Sequence, residues 1–138
     1  MNQEQRTLVI IVLSTCFLGL LVRFGIVWET GFDGLYGQDA YYYFEQGREM
    51  AFYFEHRGQD SIGYPALLGF VTLAFGMRPE IAQLVGLIMG GLTPALVGLL
   101  GWTLTKRYAV ALISGLLVCL LPYHIRSSIV TMSDVPAL

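Results

Sequence analysis

The stretch that most constrains this chain is Leu8 to Trp28, almost wholly apolar and interrupted mainly by Arg23. About 20 such residues are needed to cross a bilayer as a helix. A cleaved signal peptide would need a shorter apolar core and a small-residue cleavage site. The sequence after the core, RFGIVWETGFDG, offers no Ala-x-Ala site, so an uncleaved membrane anchor is expected. Arg23 lies close to the far end of the run. It is expected either to snorkel to the headgroups or to partner an acid or an anionic substrate.

Composition agrees with a membrane setting. The chain is 55% hydrophobic and 13% charged, where a soluble domain carries about 25% charge. Its formal net charge of -2 gives no basic field for nucleic acid. Cys16 and Cys119 both fall in apolar runs and are expected to be buried free thiols. There is no His/Cys cluster for zinc, no phosphate-binding glycine loop and no Gly-x-Ser-x-Gly elbow.

Two further apolar runs follow, giving an all-α polytopic membrane protein with spans at about 8–28, 81–105 and 108–125. The second holds Gly86, Gly90, Gly91, Gly98 and Gly101, with Pro94 expected to kink it. Gly86 and Gly90 form a GxxxG, a pattern that lets helices approach closely in lipid. Between the first and second spans lies a loop, residues 29–80, with eight acids against three arginines. Arg6 and the Lys106-Arg107 pair flank the spans on the opposite side. The positive-inside tendency puts those cations in the cytoplasm and the acidic loop outside. An odd number of crossings then brings Ser127 to Leu138 to the face that carries the loop. The ending TMSDVPAL has no helix stop or polar tail, so the chain is expected to be the N-terminal part of a longer protein.

The loop begins its helical character at GQDAYYYFEQGREM. Tyr43, Gln46, Gly47 and Met50 share a face by three- and four-residue spacing. Glu45 and Arg48 are placed for a surface ion pair of about 0.3 kcal/mol. Asp39 is suited to cap this helix. Tyr41, Tyr42 and Tyr43 suit an interfacial aromatic belt or a binding platform. In SIGYPALLGFVTLAFG, residues 65–75 read as an interfacial or re-entrant helix, and Pro79 starts the next one. His56 is expected to be solvated, and His124 to be an interface residue at a helix end. Asp39 and Asp134 stand just beyond different spans on one expected face. Two carboxylates there could position a divalent cation, or one could act as general base. Arg126 could hold a phosphate bidentately. Capping of a helix is the competing role for Asp39, and a helix start with Ser133, ahead of Pro136, for Asp134.

The first span, GQDAYYYFEQGREM, GYPALLGFVTLAFG and IRSSIVTMSDVPAL, in that order, resemble the N-terminal part of the GT-C membrane glycosyltransferases. Protein O-mannosyltransferases, lipid A aminoarabinose transferases and oligosaccharyltransferase catalytic subunits belong to that superfamily. The resemblance covers nearly the whole chain and rests on order and topology. It implies a multi-spanning enzyme that takes a sugar from a polyprenyl-phosphate-linked donor on the extracytoplasmic face, in a bacterial inner or plasma membrane. Asp39 then matches the catalytic acid of the first outer loop, and Asp134 an acid of the second loop. Arg126, Asp134 and Tyr42 would bind the donor. A divalent cation, Mg or Mn, would be held by Asp39 and Asp134. Asp39 is followed by Ala40, and Asp134 by Val135 and Pro136. The first departs from the Asp-Glu pair of protein O-mannosyltransferases; the second departs from the paired acids of oligosaccharyltransferases and points away from them, toward a bacterial transferase whose acceptor is a protein, lipid or glycan. The 138 residues alone are expected to be inactive. A transporter or flippase fragment, or a non-catalytic membrane scaffold, is the alternative class.

Overall fold

The computed structural model describes residues 2–53 and 62–132. Among these residues six helices follow one another: α1 (Gln3–Thr30), α2 (Gly37–Tyr53), α3 (Gly63–Phe75), α4 (Pro79–Thr105), α5 (Tyr108–Leu120) and α6 (Pro122–Ile129). Two of them, α1 and α4, are long and apolar enough to cross a membrane, and α5 with α6 adds a third span if the bent pair is counted as one. The protein is an all-α membrane protein. In hydrocarbon no water is at hand for free N–H and C=O groups, and a helix satisfies them internally.

The ends of α1 are written in the sequence. Asn2 Oδ1 accepts from the Gln5 N–H at 2.8 Å, and Gln5 Oε1 accepts from the Asn2 N–H at 3.0 Å. This reciprocal cap starts the helix ahead of the apolar run. Gly31, at φ 62°, ends it by donating its N–H to Val27 O. At 28 residues, α1 is about 42 Å long, against a hydrocarbon core of about 30 Å.

Helices α1 and α4 run antiparallel and α1 and α5 parallel. Gly19 meets Gly91 and Pro94, Arg23 meets Gly90, Thr15 meets Gly115, and the Tyr108 hydroxyl donates to Glu4 O at 3.3 Å. Glycines make the approach. A Cβ at Gly98 would lie 2.9 Å from Ala111 O, and one at Gly86 would lie 2.7 Å from Ser128 O. Both obstacles are backbone atoms, so a side chain there forces the helices apart. The close approach expected of the GxxxG is therefore present, and its partner is α6. Helix α4 continues through Pro94 without a break. Cys119 is buried and Cys16 half-buried; both are free, with Cys119 Sγ donating to Thr15 O.

The third span, expected over about 108–125, is bent. It is two helices meeting at a bend of 58°. Pro122 occupies the first turn of α6 and has no N–H to continue the ladder of α5. At 13 residues, α5 is about 20 Å long, short of a crossing by itself.

Helices α2 and α3 pack together beside the N-terminal end of α4. Tyr64 and Leu68 of α3, with Ala82 and Val85 of α4, form a buried apolar cluster against Tyr43 and Phe44. The Tyr43 and Tyr64 rings meet edge to face, centroids 5.3 Å apart. Burial, with Tyr43 alongside, pushes the Tyr64 phenol well above its ordinary range. Gln46 and Gly47 are buried on the same face of α2, as the spacing predicts. Glu45 and Arg48 form the expected exposed ion pair at 2.6 Å.

Candidate functional site

The site is built where the α1–α2 connection meets α6. Asp33 Oδ1 accepts from the Leu35 N–H at 3.0 Å, turning the chain just after α1. Gly34 is buried at φ 89° in that turn, and its carbonyl accepts from the Thr131 N–H at 2.9 Å. A Cβ at Gly34 would lie 2.7 Å from Gln83 Cβ, so this turn has both the conformation and the space of a glycine. The single backbone bond ties the first loop to the segment after α6. Gln83 adds a second tie by donating from Nε2 to Ile129 O at 2.7 Å.

The tie sets Tyr36 under Arg126, whose guanidinium lies 5.6 Å from the ring centroid. Beyond Tyr36 the chain enters α2, with Gln38 and Asp39 in its first turn. Tyr36, Gln38 and Asp39 on one side, and Tyr123, Arg126 and Ser127 of α6 on the other, line a cavity of about 500 Å³. Val130 and Met132 complete its wall. Asp39 and Arg126, distant in sequence, therefore share one cavity at the end of the bundle where α1 ends and α4 begins.

Asp39 is not the cap of α2. Helix α2 starts at Gly37, which takes φ 78°, and Asp39 falls inside the first turn. An anion is still favoured there by the exposed N–H groups and the helix dipole. Asp39 is exposed and lines the cavity. Tyr42 does not line this cavity; it is exposed and packs edge to face on Tyr43. Asp134, Ser133 and His56 lie outside the described residues. Among the described residues no three His, Cys, Asp or Glu side chains converge. Of the two acids a cation site would need, only Asp39 is described, and it shares its cavity with a guanidinium.

Arg23 is a correction. It neither snorkels to the headgroups nor meets an acid among the described residues; its side chain is fully buried. Helical side chains lean toward the N-terminus, and the Arg23 guanidinium follows that lean, donating from Nη1 to Gly19 O at 2.8 Å. Nε donates to Ser128 Oγ at 2.8 Å, and Nη2 meets His124 Nδ1 at 2.6 Å. His124 and Ser128 are both buried on α6. An arginine and a histidine inside two apolar runs were the visible signal for this contact.

No family model matches this chain, and no curated protein and no solved structure matches it.

Chemically, the cavity pairs a solvated carboxylate with a guanidinium beside two tyrosines, next to the membrane-spanning helices. A carboxylate can accept a proton from a hydroxyl or amine. A guanidinium presents a fork of donors to phosphate oxygens.

Proposed function

We propose that this chain forms the N-terminal membrane portion of an inverting glycosyltransferase of the GT-C type. The observation that carries the reading is the placement of Asp39 and Arg126 in one cavity at the end of the bundle. The order of motifs in the sequence supports it. The donor is a sugar on a polyprenyl phosphate, and the cavity faces the extracytoplasmic side of a bacterial inner membrane.

In the proposed transfer, Arg126 binds the donor phosphate. The acceptor nucleophile attacks the anomeric carbon from the side opposite the phosphate. The bond from that carbon to the phosphate oxygen breaks as the new glycosidic bond forms, inverting the centre. Asp39 takes the acceptor proton, and the released polyprenyl phosphate leaves with the bonding electron pair, its charge held by Arg126. Tyr36 and Tyr123 line the same cavity beside the sugar.

The test uses the full-length protein in membrane vesicles, supplied with a radiolabelled lipid-linked sugar. Asp39→Asn removes the proton acceptor and leaves the size of the side chain. Transfer should fall by at least about 100-fold, the usual scale for a general base, with insertion unchanged. Wild-type transfer by this variant would sink the assignment. The bend between α5 and α6 favours a second reading, a transporter with a discontinuous helix. Transporter sites lie near the bilayer midplane. Membrane-impermeant thiol labelling of Asp39→Cys from outside separates the two, because a midplane site is shielded from the reagent and a surface site is not.

A further inference from the structure

Helix α6 is eight residues long and is cut off from α5 by the 58° bend. A helix that short has little stability of its own. One residue, Leu121, links it to α5, its carbonyl accepting from the Ile125 N–H at 3.0 Å, and contacts from elsewhere in the chain hold the rest. At its C-terminal end those are Gln83 Nε2 to Ile129 O and the Thr131 N–H to Gly34 O. Toward its N-terminal end, where Tyr123 lies, Arg23 Nη2 meets His124 Nδ1.

Arginine carries only donors, so His124 Nδ1 is the acceptor and the ring hydrogen sits on Nε2. Ser128 Oγ accepts from Arg23 Nε while donating to Ile125 O at 2.8 Å. One planar guanidinium thus grips α6 at two positions four residues apart, on one face. Tyr123, Arg126 and Ser127 lie on another flank. At about 100° per residue, Arg126 is about 200° around from His124. The face held by Arg23 and the face lining the cavity are different faces of the same short helix. Gly86 and Gly90 make the grip close, since a Cβ at either would collide with Ser128.

We propose that Arg23 is a positioning residue that sets the rotation of α6 and so aims Arg126 and Ser127 into the cavity shared with Asp39. Lysine cannot replace it, because a point charge does not offer two fixed donors to His124 and Ser128 while bonding Gly19 O. The effect on transfer rests on reading the cavity as a donor site; the clamp itself does not.

The test measures distance first. Nitroxide labels are placed at Gln38→Cys and Tyr123→Cys in the full-length protein, with Cys16→Ser and Cys119→Ala, in lipid nanodiscs. Double electron–electron resonance should give one narrow distance in the parent. His124→Gln keeps an acceptor in its amide oxygen and should preserve that distance. His124→Leu and Arg23→Gln should shift or broaden it by about 5 Å, the displacement of a side-chain tip when a helix turns by about 60°. Parent-like distances in both would overturn the proposal. In unlabelled protein, His124→Leu should raise the KM for the polyprenyl-phosphate donor about tenfold, the effect of losing about 1.4 kcal/mol of binding, with His124→Gln restoring it. A shifted distance with unchanged KM upholds the clamp and overturns the donor reading of the cavity alone.

Discussion

Gly90→Ala probes the seam between α4 and α6 at its tightest point. The added Cβ would collide with Ser128 Cβ and lie 2.9 Å from Ser128 Oγ and 2.9 Å from Arg23 Nε. Carbon atoms in contact sit about 3.5–4.0 Å apart. Ser128 Cβ is fixed to its backbone, so no change of rotamer relieves the clash, and α6 must retreat by more than about 1 Å. That retreat stretches the 2.8 Å bond from Arg23 Nε to Ser128 Oγ beyond useful length. Overpacking costs about 1–3 kcal/mol. The lost bond to a charged donor costs about 1.5 kcal/mol more. Replacing a mid-helix glycine by alanine returns about 0.5–1 kcal/mol. The net destabilisation is about 1.5–4 kcal/mol, roughly 10- to 1,000-fold in the folding equilibrium.

Gly25→Ala supplies the control, because a Cβ there meets nothing within 4 Å. It keeps only the helix term and should leave the protein as stable as the parent or up to about 1 kcal/mol more stable. Both are measured by denaturant titration of the full-length protein in detergent, following the fluorescence of Trp28 and Trp102. If Gly90→Ala proves no less stable than Gly25→Ala, the seam is not packed as described and the reasoning fails.

Two further outcomes are expected. Arg126→Lys keeps the charge but loses the fork, so the KM for the lipid-linked donor should rise about tenfold, or about 1.4 kcal/mol, in a steady-state transfer assay; an unchanged KM would remove Arg126 from phosphate binding. Tyr64→Phe deletes a buried hydroxyl with no hydrogen-bond partner among the described residues, and should be neutral or up to about 1 kcal/mol stabilising. Because the folded phenol is held above its ordinary range, its contribution is intact below the unfolded pKa of about 10 and is lost as pH rises beyond it. The parent should therefore weaken above that pH more steeply than Tyr64→Phe, as read from unfolding midpoints across alkaline buffers; parallel curves would refute the assignment.

The features legible in the sequence are those decided within a few residues. The apolar runs marked α1 and α4, Pro79 marked the start of α4, and the spacing of Gln46 and Gly47 marked the buried face of α2. The bend after α5 had a local sign in Pro122, but the apolar run 108–121 passes into it without a change of composition, so one span was the simpler reading. Burial of Arg23 had no local sign, because a charge near the end of a span is ordinarily drawn to the headgroups. What keeps it inside is a set of acceptors, one from its own helix and two from the far end of the chain. The counterpart was present in pieces: His124 and Ser128 four apart on one helix, Gly86 and Gly90 four apart on another. Small residues opposite polar ones at the same spacing are the pattern of a helix brought close enough for a side chain from a third to bond it. The spacing on α4 therefore carries more than packing. It admits α6 to the depth at which Arg23 can hold it, and the cavity between Asp39 and Arg126 has its shape because α6 sits there.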